Sequence, residues 1–233
     1  MKCSVIALLS LILFTAAVTN IQAQEPPEIV LVGDSTVTDD FGWGLGFANC
    51  LKGNATCLNL AAGGRSSKSY RDEGRWEKVL SKKPAIVLIQ FGHNDQFDKG
   101  PDRAADAKTA FRDNLARYVD EAKQIGAKPV LITSMSRRIW DPSGKKINSN
   151  LTEYVEATIA VAKEKDVPLI NLHELSIKLY EKFGKDACDG IGPPPEKGVP
   201  DITHLNANGS KLVGSIVARE LRTLMPELEP YIR

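Results

Sequence analysis

The sequence predicts an α/β protein, a three-layer α/β/α sandwich built around a five-stranded parallel sheet. Short apolar runs rich in β-branched residues recur along the chain, and amphipathic stretches of helical period separate them. Continuous apolar runs are typical of strands that are buried on both faces, and their alternation with helices indicates a parallel sheet. Five such units favour the flavodoxin-like strand order 2-1-3-4-5.

The elements follow one another in a regular order. The predicted strands are residues 29–32, 57–61, 85–91, 129–133 and 168–172, and the predicted helices are residues 43–52, 72–82, 104–125, 151–166, 173–183 and 206–224. A Gly/Pro-rich run, Asp186–Pro200, is interpreted as a long ordered loop before the last helix, and loops of that length are often functional. Trp43 is expected to pack where the first helix begins.

The N-terminal residues are typical of a secretory signal peptide. Lys2 precedes an apolar run from Val5 to Val18, and small residues end at Ala23. We therefore assign residues 1–23 to a signal peptide and residues 24–233 to one domain, with a secreted or periplasmic location and no membrane contact after cleavage. The alternative is an uncleaved membrane anchor, for which the apolar run is short.

Charge and motif content exclude several classes of partner. The chain carries 30 basic and 29 acidic residues, so it lacks the basic excess of proteins that bind nucleic acid or anionic membranes. It has no His-Glu-x-x-His, clustered cysteines or Walker motif, and the glycines around Trp43 lack dinucleotide-loop spacing. We expect a monomer without metal or other cofactor.

Three cysteines remain after the predicted signal peptide: Cys50, Cys57 and Cys188. The first two are close enough in sequence to close a short loop in an oxidising compartment, and we predict a disulfide between them. The alternative is a pair of buried free thiols.

Chemically reactive residues follow the predicted strands, at the sheet edge where parallel sheets bind ligands. Ser35, after the first strand, is a candidate nucleophile that needs a histidine base. Asp201 lies three residues before His204, so it can orient that ring, whereas His93 and His173 have no carboxylate partner at short range. The four segments concerned are Gly33-Asp-Ser-Thr36, Ala61–Ser66, Gly92–Asp95 and Asp201–His204.

An oxyanion formed by attack of Ser35 needs hydrogen-bond donors. The backbone N–H groups of Ser35 and Gly64 and the side-chain amide of Asn94 are the candidates. In isolation, Gly64 is more typical of a turn and Asn94 of a cap or Asx-turn, and an Asp-x-x-His pair is more often a helix cap with a neighbouring histidine. Their joint placement after successive strands favours a catalytic site.

Four segments resemble the ordered blocks of the SGNH (GDSL-type) hydrolases: Gly33–Ser35, Asn59–Ser66, Gly92–Asp95 with the preceding Phe91, and Asp201–His204. The resemblance spans residues 29 to about 224 and implies a five-stranded α/β/α fold. It also implies a catalytic triad of Ser35, Asp201 and His204 and an oxyanion hole formed by Ser35, Gly64 and Asn94. The second and third blocks, and Ser134–Arg138, resemble the rhamnogalacturonan acetylesterase branch. That branch implies acetylated plant cell-wall polysaccharide as the substrate.

Arg137 and Arg138 follow the fourth strand, on the same sheet edge as Ser35. Because guanidinium groups bind carboxylates bidentately, we predict that at least one of them binds the uronate of a pectic substrate. The alternatives are solvated arginines, or an arginine that holds the loop through Asp141; Arg65 is a weaker candidate. At the level of function, an acetylxylan esterase, a lipase or thioesterase, and a non-catalytic carbohydrate-binding protein stay open.

Overall fold

The computed structural model describes residues 26–233, which form a parallel sheet in the order β2-β1-β3-β4-β5. The predicted fold class and strand order are therefore confirmed. The signal peptide predicted for residues 1–23 lies outside the described residues. Within the part that is described, no helix has the length and apolar character needed to cross a membrane. The strands are β1 (Glu28–Gly33), β2 (Thr56–Asn59), β3 (Ile86–Gln90), β4 (Lys128–Ile132) and β5 (Leu169–Ile170).

The helices differ from the predicted ones mainly at their ends. The helix predicted over 72–82 is divided because Gly74 adopts a positive φ of 68°, and the helix predicted from residue 104 starts at Ala110 because the Asp106 carboxylate binds the N–H groups of Lys108 and Thr109 in a turn. The Gly/Pro-rich run contains a short helix. The helices are α1 (Gly44–Ala48), α2 (Ser69–Asp72), α3 (Arg75–Lys82), α4 (Ala110–Gln124), α5 (Thr152–Glu164), α6 (Leu172–Phe183), α7 (Lys185–Asp189) and α8 (Ala207–Leu224).

Each face of the sheet buries its own apolar layer. Alternate residues of β1 contribute to opposite layers, Val30 and Val32 to one and Ile29 and Leu31 to the other. The first layer packs against α3, α4 and α5, and the second packs against α1, α6 and α8. Because both faces are covered, β1, β3 and β4 contain runs of consecutive apolar residues instead of alternating apolar and polar ones.

Helices α1 and α8 approach each other at backbone distance. A Cβ atom added to Gly46 would lie 1.9 Å from the carbonyl oxygen of Ser210, and one added to Gly214 would lie 2.2 Å from the backbone nitrogen of Phe47. The Gly46 N–H also donates to Ser210 Oγ at 3.1 Å. This contact joins the segment that follows β1 to the segment that precedes the C-terminus.

The prediction of a disulfide between Cys50 and Cys57 is wrong in this structure, where both are free thiols, as is Cys188. Cys50, at the end of the α1 turn, donates its thiol to the carbonyl of Gly46 at 3.3 Å. Cys57 packs on β2, and burial with nearby Asp39 raises the pKa of its thiol to about 12. Although the two cysteines are close in sequence, their side chains are not bonded to each other. Each packs separately against the apolar layer that includes residues of α1 and α8.

Candidate active site

Ser35 lies on a tight turn directly after β1, at the carboxyl end of the sheet. The Asp34 carboxylate accepts hydrogen bonds from the N–H and the hydroxyl of Thr36, at 2.8 and 2.7 Å. The Val37 N–H donates to the Asp34 carbonyl at 3.1 Å, and the Thr38 hydroxyl donates to the Ser35 carbonyl at 2.9 Å. These bonds fix the backbone on both sides of Ser35, whose side chain is only half-buried.

A chain of buried polar groups supports the turn from inside the protein. The indole N–H of Trp43 donates to Gln90 Oε1 at 3.0 Å, and Gln90 Nε2 donates to Thr36 Oγ1 at 2.7 Å. Both Trp43 and Gln90 are fully buried. The packing role predicted for Trp43 at the start of α1 is confirmed. Gln90 was not singled out by the sequence; its only signal is a lone amide at the end of an apolar strand.

His204 connects the nucleophile to a carboxylate. Its Nε2 lies 2.8 Å from Ser35 Oγ, and its Nδ1 lies 2.7 Å from Asp201 Oδ2. The other carboxylate oxygen, Asp201 Oδ1, accepts the N–H groups of Thr203 and His204, both at 2.8 Å. The structure therefore brings together all three residues of the predicted triad across 169 positions of sequence.

The electrostatics of this chain suit proton transfer. Partial burial raises the pKa of Asp201, but hydrogen bonds from the backbone and ring of His204 and from Thr203 lower it more, so the net pKa is below its ordinary value. The carboxylate therefore stays ionised and holds a proton on Nδ1. That tautomer leaves the lone pair of Nε2 directed at the Ser35 hydroxyl, as general-base activation requires.

The loop that carries Gly64 lies beside Ser35, since a Cβ added to the neighbouring Gly63 would lie 3.7 Å from Ser35 Cβ. Among the described residues, neither the Ser35 nor the Gly64 backbone N–H donates to a protein acceptor. Gly64 has a φ of 76°, and its carbonyl oxygen accepts a hydrogen bond from Nη1 of Arg103 at 3.4 Å. Asn94 donates one amide hydrogen to the carbonyl of Arg65 at 3.2 Å, which leaves its second hydrogen available. Their role in catalysis stays a prediction.

Asp95 ties the loops after β2 and β3 together. It is fully buried and accepts hydrogen bonds from the N–H and hydroxyl of Ser67, at 2.9 and 2.5 Å, and from the Gly92 N–H at 3.0 Å. Burial outweighs these bonds and raises the pKa of Asp95 to about 7. Gly92 must be glycine here, because its φ is 133° and a Cβ would lie 2.2 Å from the hydroxyl oxygen of Ser134. The sequence did not assign these residues a role.

A buried ionisable pair lies beneath the nucleophile. His93 Nδ1 is 3.6 Å from Asp34 Oδ2, and both side chains are almost wholly buried. Burial raises the pKa of Asp34, but His93 and the bonds from Thr36 lower it more, so the net pKa is below its ordinary value. The sequence predicted no short-range carboxylate for His93, because the partner lies on a different strand. His173, which also lacks a short-range carboxylate partner in the sequence, lies on α6 with Nδ1 3.0 Å from the Ser134 carbonyl.

Arg138 does not face the cleft, which corrects its prediction as a substrate ligand. Its side chain is 4% exposed, and Nη2 donates to the carbonyl oxygens of Asp201 at 2.6 Å and His204 at 2.8 Å. The guanidinium carbon lies 5.8 Å from the ring centroid of Tyr180. The Arg138 N–H also donates to the Ile202 carbonyl at 2.8 Å. Arg138 therefore stabilises the loop that contains Asp201 and His204, and its buried guanidinium is not accessible to bind a sugar carboxylate.

Arg137 is also engaged within the protein. Its Nη1 donates to Gln96 and Asn150, at 2.7 and 2.8 Å, and its Nη2 donates to the His93 carbonyl at 3.3 Å. The alternative of a contact between this pair and Asp141 is not seen among the described residues. Arg65 pairs with Glu73 at 3.1 Å, so it braces the loop of Gly64 from outside.

Comparison with known proteins agrees with this geometry. The model of the GDSL-like Lipase/Acylhydrolase family matches residues 31–212. The chain belongs to this family. In this GDSL-like chain a threonine, Thr36, stands at the fourth position of the motif that gives the family its name, and its hydroxyl links Gln90 to Asp34.

Relatives of this GDSL-like protein include two rhamnogalacturonan acetylesterases. The chain is 33% identical over 226 residues to RhgT of Bacillus subtilis, covering 90% of this chain and 95% of that protein. It is 26% identical over 230 residues to the rhamnogalacturonan acetylesterase of Emericella nidulans, covering 89% and 87%. The chain is thus an esterase of the GDSL superfamily with rhamnogalacturonan acetylesterases among its relatives.

Solved structures show the same fold. Bacillus subtilis YxiM superimposes with a TM-score of 0.71 at 23% identity, covering 85% of this chain and 56% of that chain. An acetyl xylan esterase superimposes with a TM-score of 0.61 at 19% identity, covering 85% of this chain and 99% of the other.

Proposed function

We propose that the protein is a secreted or periplasmic carbohydrate esterase that removes acetyl groups from pectic polysaccharide, with rhamnogalacturonan as its substrate. The observation that carries the catalytic part is the continuous hydrogen-bonded chain from Asp201 through His204 to Ser35. The identity to RhgT over most of both chains supports the choice of substrate. The signal-peptide pattern of residues 1–23 supports the location.

The reaction begins with the transfer of the Ser35 proton to His204 Nε2 while Oγ attacks the acetyl carbonyl carbon. The carbonyl oxygen gains negative charge, and the Ser35 and Gly64 N–H groups with the Asn94 amide donate to it. Asp201 stabilises the imidazolium that forms. His204 then returns the proton to the departing sugar oxygen, which leaves an acetyl ester on Ser35.

Water completes the cycle by the same route. His204 takes a proton from a water molecule, which attacks the acetyl carbon of the ester on Ser35. The second tetrahedral intermediate occupies the same oxyanion hole. When it collapses, His204 returns the proton to Ser35 Oγ, and acetate is released.

The test compares polymer and model esters. We expect wild-type protein to release acetate from acetylated rhamnogalacturonan and to hydrolyse p-nitrophenyl acetate in preference to p-nitrophenyl palmitate. Ser35→Ala and His204→Ala should reduce both acetyl activities nearly to background, because each removes an essential step. Asn94→Ala should lower turnover by about 10²–10³, the usual effect of losing one oxyanion donor. Ser81→Ala, an exposed serine on α3, is the matched control.

Each rival function has its own outcome. Preference for the palmitate ester would indicate a lipase or thioesterase. Acetate release from acetylated xylan alone would indicate an acetylxylan esterase. Polysaccharide binding with no hydrolysis of either ester would indicate a non-catalytic binding protein, and full activity of Ser35→Ala would refute the mechanism.

A further inference from the structure

A cavity of about 560 Å³ opens beside the triad, which is within the usual size range of ligand pockets. Asp201 and His204 form part of its lining, together with Phe41 and the proline-rich segment Pro193–Pro200. Ser35 and the oxyanion candidates Gly64 and Asn94 do not line it. The cavity therefore lies on the side of the base, away from the oxyanion hole.

That position decides which part of an ester the cavity receives. A general acid must lie within hydrogen-bond reach of the atom that it protonates. In ester hydrolysis His204 protonates the oxygen of the leaving alcohol, so the alcohol occupies the space beside His204. The acyl group points elsewhere around Ser35, and the large cavity is therefore available to the alcohol.

The wall of the cavity combines an exposed aromatic ring with a proline-rich hairpin that also carries Glu196 and Lys197. Phe41 is 52% exposed, and its ring meets the ring of His204 edge-on, with 5.7 Å between the centroids. Glu196 and Val199 exchange two backbone hydrogen bonds, at 3.1 and 2.9 Å, across a two-residue turn. Both turn residues, Lys197 and Gly198, have positive φ, 51° and 78°, as in tight hairpins. With prolines on both sides, this segment forms a second part of the cavity wall besides Phe41.

We propose that this cavity binds the leaving-group sugar of the substrate, with a pyranose ring stacked on Phe41 and enclosed by the proline-rich wall. The C–H face of a pyranose is apolar and flat, so it packs against an exposed aromatic ring, while its hydroxyls stay accessible to water at the open side. In a polysaccharide ester the acetyl group is small and the alcohol is the polymer, which matches a large cavity on the alcohol side. This inference rests on the proposed function and identifies Phe41 as the residue that contacts the sugar ring.

The experiment keeps the acetyl group constant and changes the alcohol. The kcat/KM for an acetylated pectic oligosaccharide is divided by the kcat/KM for ethyl acetate, in wild type, Phe41→Ala, Phe41→Trp and the control Phe183→Ala. Phe183 is 40% exposed at the end of α6, outside the cavity lining. We expect Phe41→Ala to lower this ratio about tenfold, Phe41→Trp to preserve it within about twofold, and the control to leave it unchanged. The inhibition constant of the deacetylated oligosaccharide should rise about tenfold in Phe41→Ala alone.

The outcomes separate this proposal from the one it rests on. An equal fall on both substrates with an unchanged inhibition constant would mean that Phe41 only supports His204, and would overturn the proposal. An unchanged ratio in Phe41→Ala, in a protein that prefers acetyl over long-chain esters, would refute the sugar subsite alone. A wild-type preference for long-chain acyl groups would refute the proposed function instead.

Discussion

At the scale of the residue, Arg138 acts on the triad without reaching the cleft. Among residues 26–233 its buried guanidinium forms no ion pair with a carboxylate. Its Nη2 donates instead to the carbonyls of Asp201 and His204, at the two ends of the turn that positions the imidazole. Because this side chain binds both ends of the turn, we expect it to influence the distance from His204 Nε2 to Ser35 Oγ. We therefore regard Arg138 as a positioning residue.

Replacing Arg138 tests this role. Arg138→Met removes both hydrogen bonds, so we expect kcat to fall about tenfold to a hundredfold, because small misplacements of catalytic groups are costly, while KM changes little. Arg138→Lys should recover part of kcat, since an ammonium can still reach one carbonyl. Arg219→Met, at an exposed arginine on α8, is the control. A lower melting temperature with unchanged kcat would mean that Arg138 only stabilises the fold.

The sequence could indicate the triad but not the contacts that hold it. Ser35, Asp201 and His204 lie in short local patterns that their chemistry makes recognisable. The buried partners, such as Gln90 for Thr36 and Asp34 for His93, come from different strands, and only the three-dimensional register brings them together. The same limit explains Arg138, because its charge suggested a ligand for substrate and its burial depends on the packing of α6 and the last loop.

At the scale of the element, the close contact of α1 and α8 joins the segment that follows Ser35 to the helix that follows His204. Gly214→Ala should destabilise the protein by about 1–3 kcal/mol, because the added methyl meets backbone atoms, and this outweighs a gain of about 1 kcal/mol in helix propensity. Urea unfolding measures the change. Catalysis should fall as well, since α8 follows the loop of His204.

A control on the same helix separates packing from propensity. Ser215 is exposed on α8, so Ser215→Ala should change the free energy of unfolding by only a few tenths of a kcal/mol. If Gly214→Ala and the wild type unfold at the same midpoint urea concentration, α1 and α8 can move apart without a cost in free energy. That result would contradict the close contact described above.

The positions of strands and helices were predicted well where a regular apolar pattern extended over many residues. They were predicted less well where a single residue sets the end of an element. β5 is only Leu169–Ile170 because the Asn171 side chain caps α6, which begins at the next residue. α7 was not predicted, since a short helix among glycines and prolines leaves no apolar period. The two thiols Cys50 and Cys57 were paired on proximity in sequence, whereas their directions depend on packing.

At the scale of the whole molecule, Asp95 gives the stability of the fold a dependence on pH. Burial raises the pKa of Asp95 from its ordinary value of 3.8 to about 7 in the folded protein. Between these two pKa values the folded protein keeps the proton on Asp95, whereas the unfolded protein loses it. The stabilising contribution of Asp95 to the free energy of unfolding is therefore fully present below pH 3.8 and decreases as the pH rises to about 7. We expect this decline to level off above about pH 8.

Urea unfolding of wild type and Asp95→Asn across this range measures the effect. The stability of the wild type relative to Asp95→Asn should decrease from about pH 5 to about pH 7, because asparagine does not titrate. Asp98→Asn, at an exposed carboxylate, should follow the wild type. A relative stability that rises over the same interval would mean that the Asp95 pKa is lowered in the folded protein.

The order of the catalytic residues along the chain has a consequence for synthesis. A ribosome makes Ser35 early and His204 after 169 further residues, and α8, which holds the base against the nucleophile through Gly46 and Gly214, comes later still. Under the proposed mechanism, a nascent chain that ends before His204 carries the Ser35 hydroxyl without the histidine that activates it, so we expect it not to hydrolyse esters. We therefore expect esterase activity in a refolding reaction to appear only after α8 has packed against α1, so that its onset reports when folding is complete.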